Sequence, residues 1–270
     1  MRRPDRRLAL SQSMLDNVSM AADLDMAKES GAHAVALYAP MVRQTGAEET
    51  VRLLRERDLS VTSIHLGLKV MEADDATADA ALRDGLELAA AVGAPIAPVS
   101  SGFGGDRKAA EADAIYIRRL ARVAPLAKTL GVTMGVEPIH PVLHLAGFVH
   151  TIRHAARIAA HVENCGIIVD VVHLYWDADF EADVQAHADK LCLVQIADLD
   201  KTALAERRWG RTLPGEGVVP IADMVRTMDA AGYCGDYESE LLLRLPHHTC
   251  IEAARASRLW FEQVWRSGTA

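Results

Sequence analysis

The chain has 270 residues, half of them hydrophobic, and carries a formal charge of −8 at pH 7. That length suits a single α/β barrel of about 250 residues, with enough apolar material for a sizeable core. The negative charge argues against nucleic acid as the main partner, because phosphate contacts need clustered Lys and Arg.

The basic start "MRRPDRR", residues 1–7, leads into no apolar signal-peptide core and reads as a flexible tail. No apolar run approaches the ~20 residues that span a bilayer, so no membrane partner is expected. The four cysteines, Cys165, Cys192, Cys234 and Cys250, are widely spread with no C-x-x-C pair. Reduced thiols in a cytoplasmic protein are the expectation, not a disulfide framework.

In chain order, short apolar stretches alternate with longer helical patterns. Strands are expected at "RLALSQS", "AVALYAP", "VTSIHLG", "PIAPVSS", "TMGVEPI", "GIIVDVV", "LCLVQIAD" and "YESELLL". Between them, "SMAADLDMAKESGA", "AEETVRLLRERD", "ATADAALRDGLELAAAVGA", "AIYIRRLARVAPLAKTLG" and "PIADMVRTMDAAG" have helical periodicity, and several end in the Gly that follows a helix C-terminus. Eight strand signals, each followed by a helix signal, predict a parallel sheet with right-handed crossovers, and eight strands close a (β/α)8 TIM barrel. A doubly wound sheet is the alternative, but no G-x-G-x-x-G follows the first strand. "SGFGGD" is only a weak phosphate signal. No linker divides the chain, so residues 1–270 read as one domain.

Active sites of such barrels lie at the C-terminal ends of the strands. There the sequence places Gln12, His65, Glu137 with His140, Asp170 with His173, Gln195 with Asp198, and Glu238 with Glu240. A single acid at a strand end usually caps the next helix, as Asp177 beside "ADF" is expected to do. Asp198 can simply fix its loop, and His144, His150, His154 and His161 read as surface or packing residues. Four strand ends with ligand-type groups are harder to explain that way, because facing buried carboxylates repel without a cation. The oxygen-rich set suits Mn²⁺, Mg²⁺ or Co²⁺ better than a thiolate zinc site. Asp170 and His173 share a site only if the strand ends between them, since strand positions i and i+3 face opposite ways. Glu238 and Glu240 share a face, with Glu238 one layer deeper and in need of a partner.

The stretches "GVTMGVEPIHP", "IIVDVVHLYWD", "VQIAD", "LPGEG" and "AGYCGDYESEL" resemble, in order and spacing, the motifs of the sugar phosphate isomerase/epimerase family, the xylose isomerase-like barrels. The resemblance implies one divalent cation, Mn²⁺ first with Mg²⁺, Co²⁺ or Zn²⁺ as alternatives. It implies Glu137, Asp170, Gln195 and Glu240 as ligands, and His173 in the substrate pocket. Gln at 195, where many members have His, resembles the hydroxypyruvate isomerase-like and 3-dehydroshikimate dehydratase-like branches. It also implies Glu137 and Glu240 as the pair that moves a proton through a metal-stabilised enediolate, with His173 beside them. The substrate is then a small polyhydroxy carbonyl compound. The pocket is expected to include His65, His140, Trp176, Arg208, Arg211 and Glu216. Trp176 is read as either pocket wall or packing, and the arginines of "ERRWGR" as either an anion clamp or a solvated loop. Isomerase or epimerase chemistry is the first reading. The alternatives are a dehydratase acting on a 3-dehydroshikimate-like or keto-cyclitol ring, and a metal-dependent endonuclease, which the charge disfavours. A homodimer or homotetramer is left open.

Overall fold

The structure is a computed structural model that describes residues 8–16, 18–71, 74–241, 245 and 248–267. The basic start, and Leu242 and Leu243 of the expected last strand, lie outside the described residues. Eight parallel strands form the barrel: β1 (Leu8–Ser11), β2 (Ala34–Tyr38), β3 (Ser60–His65), β4 (Ile96–Pro98), β5 (Thr133–Val136), β6 (Cys165–Asp170), β7 (Leu191–Ile196) and, after two short strands β8 (Asp198–Leu199) and β9 (Arg211–Thr212), β10 (Asp236–Ser239). They run in the order β3-β2-β1-β10-β7-β6-β5-β4. β3 and β4 meet at the seam without a ladder. Just beyond their ends Val70 N–H donates to Ser100 O at 3.1 Å and Met71 N–H to Ser101 O at 2.9 Å, which fastens the seam at the C-terminal rim.

Alternation along the strands decides what faces the barrel axis. Ile167, Val169, Val194 and Ile196 pack outward into the main core under the helices, whereas Ile96, Ile168 and Leu193 form a separate inner cluster with Cys192. A Cβ on Gly135 would lie 2.5 Å from the Ile168 Cδ1, so glycine there lets Ile168 fill the barrel. Tyr237 points out against Phe261 of the final helix, ring centroids 5.0 Å apart. The next residue, Glu238, therefore faces in. Gln195 is in register with both Asp170 on β6 and Glu238 on β10.

The expected helices form, including Ala109–Leu130, which closes at Gly131 in the left-handed conformation (φ 69°) and tolerates Pro125 within it. One addition is helix Ala39–Thr45, which follows β2 directly with Pro40 in its first turn. Among the described residues no helix is long and apolar enough to cross a membrane.

Candidate active site

β6 ends at Asp170, and the chain passes at once into the helical turn Val171–Leu174. Asp170 Oδ1 caps that turn by accepting from Val172 N–H at 3.0 Å. The turn is also what brings His173 back over the mouth, since positions three apart share a helical face. Its Nε2 lies 3.7 Å from Asp170 Oδ2 and 3.7 Å from Glu137 Oε1. Glu137, Asp170 and His173 each offer a ligand atom within 4.8 Å of the others. Asp170 is thus both cap and site residue, one oxygen for each role.

The second oxygen of Asp170 accepts a hydrogen bond from Arg211 Nη2 at 2.7 Å. Arg211 Nη1 donates to Glu240 O at 2.6 Å, and the guanidinium is buried. What aims it is the antiparallel pairing of β9 with β8. Asp198 holds that hairpin: Oδ1 accepts from Leu199 and Val219 N–H, each at 2.8 Å, and Oδ2 from Gly215 and Gly217 N–H, each at 3.0 Å. A Cβ on Gly217 would sit 2.3 Å from Asp198 Oδ1 and from Leu199 O, so only glycine fits. The loop role expected for Asp198 is what the geometry shows.

Across the mouth, His65 Nδ1 faces Glu240 Oε1 at 3.7 Å and its Nε2 faces Glu238 Oε2 at 3.8 Å. Gln195 Nε2 is 3.5 Å from the same His65 Nε2. Glu238 Oε1 accepts hydrogen bonds from Thr62 Oγ1 at 2.5 Å and Ser63 Oγ at 2.7 Å. Because barrel strands tilt by ~36°, moving two strands along the register drops about 5.5 Å, and two residues up the strand recovers it. Glu240 therefore stands level with Asp170, and Arg211 touches both residues; Glu238 lies a layer below. Gln12 follows β1 at the same rim, but its amide braces the wall, donating to Asp23 Oδ2 at 2.8 Å and accepting from Tyr38 N–H at 2.9 Å.

Aromatic rings wall the β5–β7 side. Trp209 stacks on His173 with centroids 5.8 Å apart and packs on His140 at 4.9 Å. His140 also stacks on Tyr175 at 6.1 Å and meets Trp176 edge-on at 5.7 Å. Trp176 is 41% exposed and donates to His173 O at 2.7 Å, so it serves packing while flanking the wall. Trp209 was not anticipated; an aromatic amid the arginines of "ERRWGR" was its only signal. Two expected pocket residues stand apart from the cluster. Arg208 is exposed and paired with Glu206, and Glu216 is exposed at the turn after β9. Asp177 does not cap the next helix as expected: its Oδ1 accepts from Asp179 N–H at 3.0 Å, but Asp179 is the residue at the start of helix Phe180–His187, which has no side-chain cap. His150, His154 and His161 bind Ile139 O, Asp113 and Arg157 O respectively.

Burial and charge give the two imidazoles opposite states. Burial keeps His173 neutral, pushed down to about 4, and the nearby Arg211 charge adds to that against the pull of Asp170. At His65 burial works downward too, but the charges of Glu240, Glu238 and Glu137 outweigh it and push the pKa up to about 9. Glu137 is raised well above the usual carboxylate range by burial and by the Glu240 and Asp170 charges; Glu240 is raised mainly by burial. All four cysteines are free, and burial pushes the Cys165 thiol up to about 12, so it stays protonated and inert.

This donor set fits a divalent cation. Buried Gln195 Oε1 has no hydrogen-bond partner, and among the described residues Arg211 and His65 are the cations that act on the crowded carboxylates of Glu137, Asp170 and Glu240. Carboxylate, amide and imidazole donors suit Mn²⁺, Mg²⁺, Co²⁺ or Zn²⁺.

No curated protein matches the chain. Among solved structures, a xylose isomerase domain protein from Alicyclobacillus acidocaldarius subsp. acidocaldarius is 22% identical, with TM-score 0.82 over 98% of this chain and 100% of that one. An L-ribulose 3-epimerase is 15% identical, with TM-score 0.81 over 98% and 96% of the two chains. The IolI protein, solved with a binding zinc atom, is 16% identical, with TM-score 0.81 over 97% and 98%. At such identities the likeness is one of fold. The family model described as xylose isomerase-like TIM barrel, however, matches residues 24–257, and the chain belongs to that family.

Proposed function

We propose that the protein is a divalent-metal-dependent isomerase or epimerase of a small ketose, sugar or hydroxy-keto acid, acting through an enediolate. The observation that carries this reading is a pair of glutamates at the mouth, Glu240 buried and Glu137 half-buried, each with its own imidazole: Glu137 with His173, and Glu240 with His65, at 3.7 Å in both cases. Glu137, Asp170, Gln195 and Glu240 would hold the cation, with His173 close enough to Glu137 and Asp170 to join them. A cation held there would polarise a substrate carbonyl and make the neighbouring C–H more acidic. One glutamate then removes the carbon-bound proton and the other returns it. Return to the opposite face epimerises; return to the adjacent carbon isomerises. Where His173 is not a ligand, its neutral imidazole and the Arg211 guanidinium would offer hydrogen-bond donors to substrate hydroxyls and oxyanions. The aromatic wall sheds water from that side.

Dehydration of a cyclic keto acid is the second reading, favoured by the aromatic wall in which Trp209 stacks on His173 and packs on His140, since such a wall suits the C–H face of a ring. The test is a screen of metal-loaded protein against ketoses and keto acids in D₂O. Deuterium incorporation without loss of water is expected; a conjugated ultraviolet chromophore would transfer the assignment to the lyase. In the same assay Glu137→Gln and Asp170→Asn should abolish exchange and weaken Mn²⁺ binding by calorimetry, while Asp177→Asn changes neither. Equal losses in all three variants would refute the ligand assignment.

A further inference from the structure

Glu238 has no part in the chemistry above, yet it is fully buried inside the barrel. A carboxylate in such a place must be held by specific partners. One oxygen is fixed by two hydroxyls from β3, Thr62 and Ser63. The other has no hydrogen-bond partner and faces His65 Nε2 at 3.8 Å, while the opposite ring nitrogen faces Glu240 Oε1 at 3.7 Å. The hydroxyls and the imidazole come from β3, and the glutamates from β10 and the residue just after it, with β1 and β2 between them in the sheet order, so the contacts cross the barrel interior. Anchor, carboxylate, imidazole and carboxylate form a single line that ends at the mouth. Glu240 follows the last residue of β10, with Leu242 and Leu243 outside the described residues; its backbone is tied by its own N–H to Ile196 O at 2.9 Å and by its carbonyl to Arg211. Neither bond sets the side-chain torsions.

We propose that Glu238 and His65 are positioning residues: Glu238, anchored by Thr62 and Ser63, orients the His65 imidazole, and His65 holds the Glu240 carboxylate facing the reacting carbon. This rests on the reading of Glu240 as a proton-transfer group, but the contact itself is measurable without turnover. A misplacement of about 1 Å at such a group costs up to about 100-fold in rate. Glu238→Gln keeps shape and both hydroxyl contacts while losing the charge that holds His65.

The experiment has two arms. In the first, ¹⁵N signals of the His65 ring, assigned by their loss in His65→Asn, are followed in full-length protein without added metal. They should shift in Glu238→Gln and, less, in the double variant Thr62→Val/Ser63→Ala, which keeps the carboxylate. Unmoved signals in both variants overturn the proposal whatever the activity. In the second, deuterium exchange is measured on the metal-loaded protein. Glu238→Gln should lower kcat about 10- to 100-fold with KM and Mn²⁺ affinity within about threefold, and Glu238→Gln/His65→Asn should be no worse than His65→Asn alone. Additive losses, or a fall only in melting temperature, would reduce Glu238 to a structural residue. Loss of one bound equivalent of Mn²⁺ would make it a ligand instead. Absence of exchange in the unaltered protein would sink the proposed function while leaving the first arm to decide the contact.

Discussion

On one side of the mouth His173 lies 3.7 Å from both Glu137 and Asp170; on the other His65 lies 3.8 Å from Glu238 and 3.7 Å from Glu240. Each imidazole stands between two carboxylates, yet His173 is pushed down to about 4 and His65 up to about 9. The difference lies in what else is present. Beside Asp170 the positive charge is already supplied by buried Arg211, so a second cation there would face repulsion as well as desolvation. Between Glu238 and Glu240 the imidazole is the nearest cation, and it stays charged. Three carboxylate charges act on His65 and only that of Asp170 on His173, where Arg211 offsets it, so net charge within a few ångströms decides the two states.

The largest effect should come from removing the charge that makes the two sides unlike. Arg211→Met leaves Asp170 buried without its cation, which costs about 3–5 kcal/mol. For a chain of this size that lowers the melting temperature by roughly 6–20 °C. Excess Mn²⁺ should recover more stability in the variant than in the unaltered protein, because the ion would neutralise the same carboxylate. A variant that melts normally in chelator would mean Asp170 has compensation other than Arg211.

Next in size is the pH dependence of stability without metal. His65 titrates near 6.5 when unfolded and at about 9 when folded, so its contribution is complete below pH ~6.5 and is lost as pH rises through about 9. His173 runs the other way. The unfolded chain takes up a proton near 6.5 that the folded one refuses until about 4, so stability falls as pH drops through that window. Each limb has a slope of at most about 1.4 kcal/mol per pH unit. Denaturant titrations at about pH 5, 7 and 9 should show His65→Gln flattening only the alkaline limb and His173→Gln only the acid one. The same limb flattening in both variants would erase the contrast drawn here.

The smallest effect concerns the aromatic cover on one side only. Trp209→Ala removes a stacked ring from His173, worth about 0.5–1.5 kcal/mol beyond the buried area. Water then reaches His173, and its pKa should rise from about 4 towards the ordinary value while that of His65 stays in place. Histidine ring NMR distinguishes the two, and a shift of both would mean that the rings share one solvent environment.

The eight barrel strands were readable from the chain because parallel strands buried on both faces leave short, dense apolar runs, and because glycines close the intervening helices. Glu137, Asp170 and Glu240 were readable because strand ends in this architecture share one mouth. Other features depend on contacts that no local pattern carries. Arg208 and Arg211 look alike in "ERRWGR"; only the β8–β9 pairing separates the exposed one from the buried one. The partners of Glu238 lie on β3, about two-thirds of the chain away, so its need for them could be read but not their identity. Trp209 was missed because a lone aromatic in a charged loop has no period to reveal it.

Asp198 has a further consequence for how the site can diversify. Its four amide contacts tie down Leu199 and residues 215–219, and Asp200 N–H donates to Gly210 O at 2.9 Å, so the excursion between positions 200 and 210 begins and ends on a closed clasp. Doubling the length of such an excursion adds only about 0.6 kcal/mol of closure entropy. The tip that carries Arg208 and Trp209 is thereby separable from the ion pair beneath it: its length and chemistry can drift, and substrate preference with them, while Arg211 stays on Asp170.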